Sequence, residues 1–433
     1  MMSAAKDTTK NSIPGPDDIT RVELDNGIIV LARANFNSPS VMVRGYLPVG
    51  ALFDSDGQLG LADFVSAALM RGTQERDFQQ IYDDLESVGA SVSFSGGTHT
   101  TGFHGRSLAE DIDLLFGLLE ETLRAPTFPP EQIEKLRAQI LTGLALRAQN
   151  TGAMSEMKFY EMVYDGHPYS RPDEGHPETV QAITPDNLEE FNKGHYGPKG
   201  MVIAVVGGIE PREAVDKVSA ALGDWGNPEQ PDPPDLPEWE ALKEQMRIRV
   251  DIRGKIQSDV MVGTAGPQRS APDYLAASLG NNILGQFGLM GRIGDVVREQ
   301  AGLAYYAYSS LNGGVGPGPW TVKAGVNPTN EDKAVDLIQQ ELTKFVEEQV
   351  TREELSDSQS NYIGRLPLSL ESNAGVAGGL LSLERYDLGL DYYHRYPDLI
   401  RAITRADILA AAKNYLDPEK MAIAIAGPPD EKE

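Results

Sequence analysis

The sequence contains no cysteine, which excludes disulfides and thiolate metal sites but does not select a compartment. It has no apolar run approaching the roughly 18 residues that a membrane helix requires, so no membrane span is expected. Basic residues are scarce: 38 Lys and Arg stand against 64 Asp and Glu, a net charge of −26. That balance argues against nucleic acid or an anionic membrane surface as partner, because both call for a basic footprint. Residues 1–20 form a polar leader without the apolar core of a signal peptide. Histidine is rare as well, with 6 in the chain. His99 and His104 lie on an expected hairpin, at a spacing that turns them to opposite faces of a continuous strand. His167 and His176 flank a proline-containing loop, His195 precedes Tyr196, and His394 follows Tyr393. Surface or packing roles are expected for all of them. Neither a Gly-x-Ser-x-Gly elbow nor a Gly-x-x-x-x-Gly-Lys loop is present, so serine-hydrolase and P-loop chemistries have no anchor.

What is present describes a folded protein. A chain of 433 residues with 40 % hydrophobic and 24 % charged content exceeds one ordinary core and implies two or more domains. Residues 21–31 read as two strands around the Asn26-Gly27 turn. A strand at 41–47 follows, then a helix over 60–70 closed by Gly72 as a left-handed cap. A second helix is expected at 81–88, paired strands at 90–105, and long helices at 108–123 and 131–147. The buried run 201–208 reads as a strand and 211–222 as a helix. The stretch 226–243 is a proline-rich polar linker. The end of the chain then echoes the end of its first half. Ala182-Ile183-Thr184 returns as Ala402-Ile403-Thr404, and Met201-Val202-Ile203-Ala204-Val205-Val206-Gly207 returns as Met421-Ala422-Ile423-Ala424-Ile425-Ala426-Gly427. Matching ends in matching order indicate a duplicated α+β domain, spanning 21–225 and 244–430.

The stretch 60–73 is defined by what it lacks. Asp63, Ser66 and Ala67 sit at i, i+3 and i+4, so they share one helix face. A His-x-x-Glu-His sequence on that face would hold zinc and place a general base beside the bound water. The frame Gly60-Leu61-Ala62 before it and Gly72-Thr73 after it resembles the zinc motif of the pitrilysin (M16) metallopeptidase family. Against that motif Asp63 stands for the first His, Ser66 for the Glu and Ala67 for the second His. The family's remaining ligand, a Glu on a later helix, falls at Gly143. No metal is expected in this chain.

The resemblance covers about residues 20–430. It includes His167-Pro168-Tyr169, the run 184–207, a glycine-rich loop with Gly285, Gly288 and Gly291, and a segment keeping Arg298 and Tyr305 seven residues apart. It implies two pitrilysin-like domains, each a mainly antiparallel sheet packed with helices. It also implies a non-catalytic subunit of a heterodimeric zinc metallopeptidase, inactive alone. Arg298 and Tyr305 would then act in trans at the partner's zinc site, the three glycines would touch peptide substrate, and substrate would add a strand to a sheet edge. The zinc would belong to the partner subunit, and the protein would be soluble, in the bacterial cytoplasm or periplasm. Two alternatives stay open: a structural or peptide-binding relative with no peptidase partner, and a self-contained enzyme using other chemistry.

Overall fold

The computed structural model describes residues 13–288 and 290–429; the first twelve residues of the expected leader and Leu289 of the glycine-rich loop lie outside the described residues. Gly27, at φ 89°, makes the turn that pairs β1 (Thr20–Glu23) antiparallel with β2 (Ile29–Ala34). With β3 (Ser40–Leu47), β4 (Ser91–Ser95), β5 (Thr101–Leu108) and β6 (Val202–Gly207) they form a sheet in the order β1-β2-β6-β3-β5-β4. All six residues of β6 are buried, and it runs parallel to β2 and antiparallel to β3. Every other pairing in the sheet is antiparallel.

Eight helices accompany the first half: α1 (Leu61–Ala68), α2 (Phe78–Ser87), α3 (Ile112–Arg124), α4 (Pro130–Arg147), α5 (Thr151–Val163), α6 (Pro177–Ala182), α7 (Pro185–His195) and α8 (Pro211–Leu222). Helix α1 carries on into a 3-10 turn to Arg71 and stops at Gly72. That glycine has φ 152° and ψ 147°, outside the left-handed helical region expected of it. It serves an extended glycine conformation beside Pro129, which would lie 3.0 Å from an added Cβ. His99 sits in the turn before β5, so it shares no continuous strand with His104. One core joins Phe64, Val65 and Leu69 to Val43, Phe103 and Leu115, each side chain contributing about 1.5–3 kcal/mol when removed from water.

The second half builds a sheet ordered β7-β11-β8-β10-β9, from β7 (Met246–Asp251), β8 (Ser258–Ala265), β9 (Ala304–Leu311), β10 (Pro319–Val326) and β11 (Ala422–Gly427). Its helices are α9 (Tyr274–Gly285), α10 (Gly291–Ile293), α11 (Glu331–Glu347), α12 (Arg352–Ser369), α13 (Asn373–Arg385), α14 (Tyr392–Ala402) and α15 (Arg405–Tyr415). The repeat read from sequence is visible element by element. Thr184 opens α7 and Thr404 opens α15 with the same reciprocal cap. Each helix leads to a wholly buried strand, β6 or β11, with a parallel neighbour on one side and an antiparallel one on the other. The fold is α+β in two repeated domains.

The chain forms two compact units, and neither is one continuous stretch. The first comprises the chain up to Leu144, Pro172–Asp235 and Leu366–Arg395; the second comprises Ala145–Arg171, Leu236–Arg365 and the chain from Tyr396. Helix α5 thus belongs to the second unit, where Phe159, Met162, Val163 and Tyr164 pack on Met261, Ala265, Ala422 and Ala424. Helix α13 belongs to the first, where Asn373 donates to the Ser40 carbonyl at 3.2 Å. The ranges 21–225 and 244–430 each contain one helix that completes the other unit. Hydrophobic periodicity shows that a helix has an apolar face, and it does not say which sheet that face will cover.

Tyr164 anchors the exchanged helix α5. Its ring is fully buried and its hydroxyl donates to the Pro317 carbonyl at 2.8 Å. Tyr164→Phe should keep the packing and strand that acceptor, costing about 1–2 kcal/mol in chemical denaturation.

Candidate functional site: a helix face without ligands, and an exposed arginine and tyrosine

The first unit holds the stretch that the sequence singled out. Helix α1 begins where the Asp54 carboxylate accepts from the backbone N–H of Gly60 and of Ala62, both at 2.9 Å. Asp54 is buried, so two charge-assisted bonds fix the first turn in place of an ordinary N-cap. Gly60 has φ 92°, and an added Cβ would lie 2.7 Å from the Glu174 carbonyl. Thr179 closes the same junction by donating to the Leu59 carbonyl at 2.7 Å.

Asp63, Ser66 and Ala67 share a largely buried face as the spacing requires, with Ser66 itself buried. The Ser66 hydroxyl donates to the main-chain carbonyl of Asp63 at 2.8 Å. Ala67 offers only a methyl group, half-buried against the core. A glycine backbone lies directly on this face: a Cβ on Gly96 would stand 2.7 Å from Asp63 Oδ1 and 3.0 Å from Ser66 Oγ. Asp173 and Glu174 also act on Asp63. Burial first, then those two negative charges, push its carboxyl from the ordinary 3.8 up to about 6. Burial likewise pushes up the Tyr196 phenol, which is hydrogen-bonded to Thr101 at 3.1 Å, with Asp63 adding to the effect. Gly143 is exposed on α4 with open space around it.

The donor set does not fit zinc. A protein zinc site needs three or four nitrogen, oxygen or sulfur ligands. Here one carboxylate is joined by a committed hydroxyl and a methyl group. Among the described residues no three His, Cys, Asp or Glu side chains gather as a metal would need. The sequence pointed to Asp63, Ser66 and Ala67, but not to Gly96, Asp173 and Glu174, which converge from a turn and a loop distant in the chain.

The second unit carries the other predicted residues. Gly285 ends α9 so close to β9 that a Cβ would meet the Ser309 nitrogen at 2.1 Å, and Gly291, at φ 63°, passes 2.5 Å from the Ile283 carbonyl by the same measure. Those two glycines are required by packing. Gly288, at φ 61°, faces open space. Arg298 lies in a π-helix, Gly294–Gln300. Single π turns are uncommon and concentrate at functional sites. Its Nε is 3.6 Å from Glu299, a long and exposed contact, while Asp295 accepts instead from Gln300. Tyr305, at the start of the edge strand β9, is 83 % exposed, and its hydroxyl has no partner among the described residues.

Two measurements check the first-unit face. Dialysed protein should retain no stoichiometric zinc by elemental analysis; about one zinc per chain that is lost in Asp63→Ala would contradict the ligand count. Asp63 should also appear in the pH dependence of stability. A folded carboxyl near 6 binds its proton more tightly than an unfolded one near 3.8, so stability falls as pH rises through that window and the cost is complete above it. Asp63→Asn should therefore stabilise the protein by about 2 kcal/mol at neutral pH and by little near pH 4.

Comparison with known proteins agrees with this geometry. Residues 29–175 match the family described as insulinase (peptidase family M16), and residues 182–362 match the peptidase M16 inactive domain. An uncharacterized zinc protease of Streptomyces coelicolor is 24 % identical over 427 residues, covering 97 % of this chain and 92 % of its own. Cytochrome b-c1 complex subunit 1 of Bos taurus is 26 % identical over 269 residues, 61 % of this chain and 55 % of that one. The crystal structure of a peptidase M16 inactive domain from Pseudomonas fluorescens superposes with a TM-score of 0.88 at 26 % identity, covering 96 % of this chain and 99 % of that one. With both halves of the sequence matched in order and the repeated fold in place, the chain belongs to the peptidase M16 family.

Proposed function

We propose that this chain is the non-catalytic subunit of a heterodimeric M16 zinc peptidase. The observation that carries the reading is a contrast between the two units. The α1 face offers no ligand set among the described residues, while Tyr305 is exposed and the half-buried Arg298 has only a long contact to Glu299. Tyr305 holds its phenol in water at an edge strand, with no hydrogen-bond partner among the described residues, and so is available to another molecule. A role toward another molecule accounts for both residues.

In this reading the zinc belongs to the partner, where it would supply the activated water. The work of this chain is done by two donors. The Tyr305 hydroxyl and the Arg298 guanidinium reach a peptide carbonyl oxygen, orient it, and stabilise the negative charge that develops there as water attacks. Gly288 leaves backbone open for contact with peptide, and the edge strand can pair with an extended chain. A second reading has one observation behind it, the relative named as a cytochrome b-c1 complex subunit: an assembly or peptide-binding role without a peptidase partner.

Co-purification with an M16 subunit bearing an intact His-x-x-Glu-His motif separates the two readings. Mixing should create peptidase activity that neither chain shows alone. Arg298→Ala and Tyr305→Phe should leave complex formation intact and lower turnover about a hundredfold each, whereas loss of an exposed ion pair is worth under about 1 kcal/mol. A partner that is fully active alone, and unchanged in rate and elution volume by this chain, would sink the subunit reading.

A further inference from the structure

The sheet of the first unit has a second face with a charge unlike that of the rest of the protein. Along β3, Val41, Val43 and Leu47 enter the core, so Met42, Arg44 and Tyr46 turn the other way. On β5 the same alternation buries Phe103 and leaves His104 and Arg106 exposed. On β4 it buries Val92 and leaves Ser91, Ser93 and Ser95 exposed. Strand register aligns these side chains. Arg44 lies opposite His104, which lies opposite Ser93; Arg106 lies opposite Ser91 and is diagonal to Arg44. Such diagonal neighbours are about 7–8 Å apart. Helix α13 adds Arg385, whose guanidinium is 5.5 Å from the Tyr46 ring centre, with Nη1 3.4 Å from Thr100 Oγ1.

Three arginines thus share a face, and among the described residues none pairs with a carboxylate. Arg44 Nε is buried without any hydrogen-bond acceptor. Its guanidinium lies close beneath α13, where a Cβ on Gly378 would stand 3.2 Å from Nη1. Glu384, next to Arg385, is taken up in a two-pronged bond to Arg21 at 2.7 and 2.9 Å. With 64 acidic residues against 38 basic ones, the chain has carboxylates to spare. Arg33, Arg76, Arg124, Arg137 and Arg292 all have one. Clustered cations repel one another, and a buried guanidinium nitrogen left unbonded costs free energy until an acceptor arrives.

We propose that this face binds an acidic polypeptide segment. Carboxylates of the segment take the three guanidiniums, and His104 with the three serines supplies further hydrogen bonds. The spacing favours a peptide: side chains on one face of an extended chain repeat every 6.4–6.8 Å or so, matching the repeat along β3 and β5 beneath it. A nucleic acid presents a far denser charge, which the field of a chain at −26 would oppose. The inference is independent of the peptidase reading, since binding is measured on this chain by itself.

The test uses the full chain and fluorescein-labelled ten-residue peptides in which Glu or Lys alternates with Ser, followed by anisotropy. The Glu peptide should bind and the Lys peptide should not, even though the net charge of the protein favours the reverse. Arg106→Gln and Arg385→Gln should each weaken binding about three- to fivefold, as expected for exposed charge pairs, and the double variant about tenfold or more. Arg106 is exposed and has no hydrogen bond among the described residues, so its variant should melt like the wild type. Equal binding of the Lys peptide, or no change in the double variant, would overturn the proposal. A single-stranded DNA oligonucleotide that binds more tightly than the Glu peptide, and loses affinity in the same variants, would overturn it in favour of a phosphate surface.

Discussion

Both sheets depend on a strand that arrives late. β6 is the last strand of its sheet in the sequence, yet it lies between β2 and β3, the second and third. β11 does the same between β7 and β8. Each is buried along its whole length, so neither sheet has a closed core until the end of its half is in place. Closing such a loop costs entropy before any contact repays it. The repayment is built into the sequence just upstream. Thr184 and Thr404 start helices α7 and α15 with reciprocal caps that fix the approach to each strand. This is why the two most legible echoes in the sequence fall on the helix start and the strand, and why duplication could be read without seeing the sheets.

The exchange of helices was not legible. Helices α4 and α12 each have 18 residues and α5 and α13 each have 13, a second trace of duplication that composition does not advertise. Local pattern records that α5 has an apolar side. Its destination is set by what it and the adjoining Tyr164 meet: Pro317 and the small residues Ala422 and Ala424, which lie more than a hundred positions away. The same limit applies to the charged face. Alternation along β3 and β5 is visible in sequence, but the convergence of Arg44, Arg106 and Arg385 depends on strand register and on where α13 settles.

The start of α1 shows how a helix frame is held without a metal. A metal pulls its ligands together and helps to hold the elements that bear them. In this chain that task falls to groups that never touched the ligand positions: the buried Asp54 carboxylate on two backbone donors, Thr179 on the Leu59 carbonyl, and the close passage of Gly60 past Glu174. The glycines and apolar residues around that face are therefore accounted for by the fold itself.

Asp63 has an electrostatic character unlike that of a metal ligand. A carboxylate bonded to a cation is driven toward ionisation, but Asp63 is held by burial and by Asp173 and Glu174 toward its neutral form. The glycine backbone at 96 occupies the space above it, at a distance a larger residue would not permit. A larger side chain at 63 would have to meet that backbone, which already lies within contact distance of Asp63 and Ser66. With a committed hydroxyl at Ser66, a methyl group at Ala67 and a glycine backbone laid over Asp63, the face is closed to metal chemistry at several independent points.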